Sequence, residues 1–142
     1  QIFLFNFHTI FIQCVFSALG RSKSKIMPAF PLTNIYLSIV IEKFVNIIDN
    51  AIYWLKQSDV QSKTIRLHAD ENAIYISNNG PEIKPQDWER VFELQFTRKP
   101  NGRGLGLNIS KEVLNAEGYE ISVVPPREGS TVTFKIQKIR QK

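Results

Sequence analysis

The run of residues from about Ile35 to Leu55 constrains the fold of this chain most. Its length and composition predict a long α-helix with an N-cap near Thr33 or Asn34. Apolar residues occur nearly all round this helix, so we expect it to be buried on most of its sides. The chain has 142 residues, which is enough for one domain with a core of its own.

Three polar residues interrupt the apolar helix at intervals of four. Glu42, Asn46 and Asn50 therefore lie on one helical face. A solvated stripe is one explanation, but Asn is a poor helix former, and a wet face is better filled by Glu, Lys or Gln. A ligand site is the alternative, because the side-chain oxygen of Asn50 suits a hard cation such as Mg²⁺.

The rest of the chain predicts a sheet and two further helices. Four strands are expected, at residues 64–69, 73–78, 119–124 and 130–139. A short helix should begin at Pro85, and a longer one should run from Leu105 to Ala116. These elements predict an α/β fold, a two-layer sandwich in which helices cover a mixed, mainly antiparallel sheet. We assign residues 32–142 to this domain and leave residues 1–31, an apolar helix and connector, unassigned.

Two glycine-bearing segments are candidates for binding. Residues 77–83 follow a predicted strand, and Gly80 allows a close approach of the backbone, although a plain turn would look the same. Residues 101–107 open a predicted helix, whose N–H groups and positive end can bind an anion. Three cations that could pair with phosphates lie beside this segment: Arg98, Lys99 and Arg103. The segment is neither a P-loop nor a Rossmann fingerprint, because no Gly-Lys-Ser/Thr follows it and no parallel β-α-β unit surrounds it.

In order and spacing, these segments resemble the ATP-binding superfamily of DNA gyrase, heat-shock chaperones, histidine kinases and mismatch-repair proteins. The histidine kinase catalytic and ATP-binding domain is the most similar branch, over about residues 35–136. The similar motifs are an N box at 46–51, a first glycine box at 78–81, an F box at 91–97, a second glycine box at 102–107 and a closing Gly129-Ser130. The resemblance implies a Bergerat-type fold with ATP and Mg²⁺ as its ligands.

The resemblance also implies a role for each matching residue. Asn50 would hold Mg²⁺, Asn78 would meet the adenine amino group, and Ser130 would lie beneath the adenine. Residues 97–106 would form the ATP lid. The residues implied to contact ATP are Asn46, Asn50, Asn78, Gly80, Ile83, Arg98, Lys99, Gly102, Arg103, Gly104, Leu105, Gly106, Leu107 and Ser130.

Asn46 is the candidate catalytic residue, because its identity separates two activities. Hydrolysing members of the superfamily resemble one another in carrying a glutamate at this position as general base for water. An amide cannot accept a proton near neutral pH, so the resemblance implies a kinase that positions the γ-phosphate for attack by a histidine. The alternatives are a stand-alone ATPase that dimerises on nucleotide, with Glu42 as its base, and a non-catalytic nucleotide-sensing module.

The chain departs from the family pattern at several positions. Asn78 replaces an aspartate, which keeps an acceptor oxygen and loses the charge. Glu82 replaces the second glycine of the first glycine box, and Tyr53 replaces a lysine that is common after the N box. Trp54 has two interpretations, since it could pack near the base or belong to the core.

Charge and cysteine content indicate which partners and compartment to expect. The net charge of +5 is modest, so we expect no nucleic-acid partner. The single cysteine excludes an internal disulfide and fits a reducing compartment, so we expect a cytoplasmic location. Residues 2–19 follow an amphipathic pattern that favours a buried or interface helix over a membrane span.

The two histidines, His8 and His68, lie in no phosphoacceptor motif. The expected partner is therefore a histidine-bearing dimerisation domain of the same or another chain, and pairing with a second copy of this chain is a further option.

Overall fold

The computed structural model of the chain describes residues 31–70, 73–127 and 129–139. The first helix, α1 (Pro31–Lys56), begins earlier than predicted. Thr33 and Asn34 therefore lie inside the helix, and the prediction that one of them is the N-cap is wrong. Proline is well suited to the first turn, because its fixed φ matches the helix and no N–H partner is needed there. The predictions for residues 2–19 and for His8 fall outside the described residues.

The described strands form one antiparallel sheet. They are β1 (Ile65–Ala69), β2 (Ala73–Asn78), β3 (Tyr119–Val124) and β4 (Val132–Lys138). Their spatial order is β1-β2-β4-β3, and Phe134 lies opposite both Ile76 and Val123. These three residues belong to the hydrophobic core beneath the helices, because alternate residues of a strand point to the same face. The predicted two-layer α/β sandwich is confirmed.

One side of α1 packs on the sheet. The buried residues on this side repeat at helical spacing and are Phe44, Ile47, Ile48, Ala51 and Leu55. On the other side, Val45 and Ile52 are 46% and 38% exposed. The sheet and the second helix, α2 (Gly106–Ala116), contact only part of the α1 surface. The exposed residues form one stripe, and the other described side chains of this helix are buried or half-buried, so the expectation of burial on most sides is confirmed for them.

Two single-turn 3₁₀-helices, Pro85–Asp87 and Arg90–Phe92, form where one short helix was predicted. Phe92 is buried, and Trp88 and Val91 pack against the core. The indole N–H of Trp88 donates to the backbone oxygen of Ile83 at 2.9 Å. This bond fixes the chain between β2 and the first 3₁₀-helix, which forms one wall of the site.

The loop between β3 and β4 folds over the outer face of the sheet. The Thr133 side chain is fully buried there, and its hydroxyl lies 2.9 Å from that of Ser77 and 3.3 Å from that of Ser130. Ser130 donates to the backbone oxygen of Arg127 at 2.6 Å, and the Arg127 guanidinium lies 3.6 Å from the ring centre of Tyr75. These contacts hold the loop on the sheet.

None of the helices within residues 31–70, 73–127 and 129–139 has the length and hydropathy needed to cross a membrane.

Candidate functional site

A cavity of about 560 Å³ lies between α1, the sheet, the first 3₁₀-helix and the start of α2. Its volume is that of a site for a small ligand or cofactor. Gly80 and Ser130 do not line it. The other predicted site residues do, and they are Asn46, Asn50, Asn78, Ile83, Arg98, Lys99, Gly102, Arg103, Gly104, Leu105, Gly106 and Leu107. Trp54 also lines the cavity, and it is not part of the hydrophobic core cluster.

Asn46 connects α1 to the start of α2. Its side-chain N–H₂ group donates to the backbone oxygen of Gly106 at 2.7 Å and to the hydroxyl of Ser110 at 3.1 Å. A Cβ on Gly106 would lie 3.0 Å from the Asn46 side-chain oxygen, so glycine allows this close approach. Both donors of the amide are engaged in holding the two helices together.

Asn50 accepts a hydrogen bond from the ammonium of Lys99, which comes from the loop before α2. The same ammonium lies 4.4 Å from the centre of the Tyr53 ring, one turn along α1. Burial lowers the pKa of Lys99, and the carboxylate of Asp49 opposes this effect. The side-chain oxygen that the sequence assigned to a cation thus contacts a cationic group in this structure.

Asn78 ends β2 at the floor of the cavity and is only 7% exposed. Its side-chain oxygen accepts the backbone N–H of Gly80 at 3.0 Å. The backbone N–H of Thr131 donates to the backbone oxygen of Asn78 at 2.9 Å, and the Thr131 hydroxyl donates to the backbone oxygen of Gly80. Thr131 is therefore the hydroxyl residue that bonds to Asn78 and Gly80, whereas Ser130 contacts Arg127 and Thr133 on the outer face of the sheet.

Asp87 is a residue of the site that the sequence did not indicate. Its side chain is only 3% exposed, and it forms ion pairs with Arg98 and, at 3.4 Å, with Arg90. A buried carboxylate requires such partners, because an isolated buried charge is strongly unfavourable. Arg98 thus attaches the loop before α2 to the first 3₁₀-helix.

The loop before α2 closes on itself at its base. The backbone N–H of Gln95 donates to the oxygen of Gly104 at 3.0 Å. Gly104 has a φ of 63°, and a Cβ there would overlap the backbone of Gln95. Glycine is required at this position because both the left-handed conformation and the close approach exclude a side chain.

Glu42 and His68 lie away from the cavity. The Glu42 side chain is 71% exposed, pairs with Lys43 at 3.0 Å, and does not line the cavity. His68 is exposed on β1, and its ring stacks on Tyr75 with 6.1 Å between ring centres. Neither residue can act on a ligand within the cavity.

The fold and the cavity together are those of an ATPase-type domain with a glycine-bearing loop beside the cavity. The chain belongs to the family of histidine kinase-, DNA gyrase B- and HSP90-like ATPases, which it matches over residues 39–140.

Several relatives are sensor histidine kinases. The chain is 32% identical over 119 residues to the sensor histidine kinase WalK of Bacillus subtilis, covering 75% of this chain and 20% of that protein. It is also 32% identical over 100 residues to the sensor protein SrrB of Staphylococcus aureus, covering 66% of this chain and 17% of that protein. The chain thus spans about a fifth of the length of these relatives.

A solved structure shares the fold. The mycobacterial sensor histidine kinase MprB superposes with a TM-score of 0.53 at 28% sequence identity, and the match covers 70% of each chain. The domain is therefore of the histidine kinase ATP-binding type in both sequence and fold.

Proposed function

We propose that this domain binds Mg-ATP in the cavity and presents the γ-phosphate for transfer to a histidine on a separate dimerisation domain. One observation carries the proposal: a single cavity brings together Asn78 at the end of β2, Asn50 on α1 and the N-terminus of α2. In that order, they are a hydrogen-bond acceptor for a nucleotide base, a ligand for a hard cation and a binding site for phosphates. The proposal implies a cytoplasmic domain.

Asn78 is suited to hold the adenine. A carbonyl oxygen has two lone pairs, and the Gly80 N–H takes one of them, so the other can accept the adenine amino group. Apolar side chains beside it offer surfaces for the flat faces of the base, among them Trp54, Ile83 and Phe134.

The start of α2 is suited to hold phosphates. This helix has 11 residues, no acidic residue in its first turn and no side-chain cap. Its first N–H groups therefore lack the partners that a capping side chain would supply, and the helix dipole favours an anion there. Arg103 lines the same end of the cavity and adds positive charge.

Asn50 is suited to hold a magnesium ion. Its neutral side-chain oxygen lies at the cavity and already accepts a hydrogen bond from an ammonium group. Amide oxygen is one of the ligand types that Mg²⁺ takes alongside water and phosphate. When bound, the ion would neutralise phosphate charge, and the residues of the chain would orient the nucleotide.

The residues at the cavity favour phosphoryl transfer over hydrolysis. Asn46 donates through both N–H bonds and has no basic group, so it cannot activate water. Glu42, the rival base, points to solvent. A stand-alone ATPase therefore has no base at Asn46 or at Glu42, whereas transfer to a histidine needs mainly positioning and charge neutralisation.

Phosphotransfer in trans tests the proposal. The chain is incubated with γ-labelled ATP, Mg²⁺ and a panel of histidine-bearing dimerisation domains from sensor histidine kinases such as the Bacillus and Staphylococcus relatives. We expect acid-labile label on at least one dimerisation domain, and none when its histidine is replaced by glutamine or when Asn50→Ala is used. ATP binding without transfer to any member would contradict the kinase and favour the nucleotide-sensing module.

A further inference from the structure

We propose that Lys99 is a displaceable latch, which closes the lid (residues 97–106) by holding its ammonium on Asn50 and Tyr53 of α1 until a magnesium-bound nucleotide replaces it. The part of this inference that concerns magnesium rests on the proposed function. The part that concerns the closed lid rests on contacts in the structure alone.

The ammonium site lies on one side of α1. Lys99 donates to the side-chain oxygen of Asn50, and its Nζ lies 4.4 Å from the ring centre of Tyr53. Residues three apart are neighbours on a helical surface, so the amide and the ring form one site for a cation. A lysine from the lid fills that site in this structure.

The adjacent residue attaches the lid to the opposite wall. Arg98 pairs with Asp87 in the first 3₁₀-helix, so consecutive lid residues reach α1 on one side of the cavity and the 3₁₀-helix on the other. The lid therefore crosses the cavity with an attachment at each side.

The two attachments differ in strength. Arg98 pairs with a carboxylate that is only 3% exposed, and loss of Arg98 would leave this buried charge with Arg90, at 3.4 Å, as its ion-pair partner. Lys99 contacts two neutral groups, an amide oxygen and an aromatic ring, which hold an ammonium less tightly than a carboxylate does. Lys99 is thus the attachment that can be released, and Arg98 the one that remains.

A magnesium ion and the Lys99 ammonium exclude each other at Asn50. Both are cations and both need the same oxygen, and two cations a few ångströms apart repel strongly in a partly buried site. Nucleotide phosphates would attract the displaced ammonium, so Lys99 could move from Asn50 to a phosphate as the metal binds. The lid would then exchange a contact with α1 for a contact with the nucleotide.

Hydrogen exchange of the lid amides, in protein without nucleotide, tests the latch. Lys99→Met should accelerate exchange of residues 97–104 about fivefold or more, the factor that loss of a typical cation–π contact would give. Asn50→Asp should slow it, because a carboxylate holds the ammonium more tightly than an amide does. Lys63→Met, which removes an exposed charge away from the cavity, is the matched control and should leave lid exchange unchanged.

A second measurement concerns magnesium. The affinity for ADP is determined by calorimetry with Mg²⁺ and with a chelator, for the unchanged chain and for Lys99→Met. We expect the ratio of the affinity with Mg²⁺ to the affinity with chelator to be at least threefold larger in the variant, because no ammonium then occupies the position of the metal at Asn50. An unchanged ratio overturns the displacement of Lys99 by magnesium.

Hydrogen exchange and calorimetry together distinguish a failure of the latch from a failure of the proposed function. Lid exchange that is equal in the unchanged chain and in Lys99→Met overturns the latch, whether or not nucleotide binds. A chain that binds no nucleotide but shows the expected exchange differences retains the latch and loses the proposed function.

Discussion

Asn46 in α1 donates a hydrogen bond of 2.7 Å to the backbone oxygen of Gly106, the first residue of α2. This bond joins the helix that carries Asn50 to the helix whose N-terminus is suited to phosphates. The Asn46 side chain therefore helps to set the distance between α1 and the start of α2 on either side of the cavity. In the hydrolysing members of the superfamily, a general base is expected at this position.

Replacement of Asn46 by aspartate should lower stability. The substitution keeps the size of the side chain but removes both donors, and it directs a carboxylate oxygen at the Gly106 oxygen. We expect the free energy of unfolding in urea to fall by about 1–3 kcal/mol. Asn50→Asp is the matched control, because Asn50 accepts a hydrogen bond and its carboxylate would still do so. Equal stability of the unchanged chain and Asn46→Asp would show that the bonds to α2 contribute nothing.

Replacement of Asn46 by glutamate should raise ATP hydrolysis from a very low background. It would place a carboxylate one helical turn from Asn50, within plausible reach of a water beside the γ-phosphate. The gain should be modest, because the variant also loses the donors to Gly106 and Ser110. Phosphate release measures both effects. Glu42→Gln serves as the control and should change nothing, since Glu42 is exposed. Rapid hydrolysis by the unchanged chain that Glu42→Gln abolishes would instead support a stand-alone ATPase.

Replacement of Asn78 by aspartate should tighten ATP binding by roughly 1 kcal/mol and sharpen the preference for ATP over GTP. A carboxylate accepts the adenine N–H more strongly than an amide does, and it can still accept the Gly80 N–H. Because Asn78 is only 7% exposed, the same change should destabilise the protein without nucleotide. Calorimetry with both nucleotides and urea unfolding measure the two effects. Weaker ATP binding would mean that the pocket is built around the amide.

Ionisation of Tyr75 should lower the stability of the folded protein at alkaline pH. Burial raises the pKa of its hydroxyl above the ordinary value of 10.0, with Asp70 adding to the rise and Arg127 opposing it. The folded state therefore holds this proton more tightly, so the contribution to stability is complete below pH 10.0 and is lost as the pH rises through the raised folded pKa.

Tyr75→Phe tests this pH dependence. The variant should lose less stability than the unchanged chain between about pH 9 and about pH 11, as measured by urea unfolding. An identical loss in both proteins would show that the ionisation of Tyr75 does not affect folding.

Much of the fold followed from local sequence pattern. The bounds of β2 and β3 are those predicted, and α2 begins one residue later than predicted. Alternation of apolar residues and the placement of glycine are local signals, so they can be interpreted without knowledge of the tertiary structure. The exposed side of α1 was not predictable in this way, because its environment depends on how many layers pack around it.

Contacts made by loops were the least predictable part of the site. The pairing of Arg98 with Asp87 depends on the two single-turn 3₁₀-helices, because Asp87 ends the first one and the second lies between the two residues in the sequence. Thr131, not Ser130, bonds to Asn78 and Gly80, and this depends on the course of the chain after Gly129, whose φ is 71°. Motif spacing identified the segment but could not choose between two neighbouring hydroxyl residues.

Isothermal titration calorimetry can determine whether the cavity binds Mg-ATP through Asn50. ATP is titrated into the unchanged chain, Asn50→Ala and Asn115→Ala, each with Mg²⁺ and with a chelator. Asn115 is an exposed residue of α2 outside the cavity, so its variant is the matched control. We predict micromolar to millimolar binding that magnesium strengthens in the unchanged chain and in Asn115→Ala, and a loss of that magnesium dependence in Asn50→Ala. Equal affinity of the unchanged chain for ATP with magnesium and with chelator, or no binding at all, would show that Asn50 does not hold Mg-ATP in this cavity.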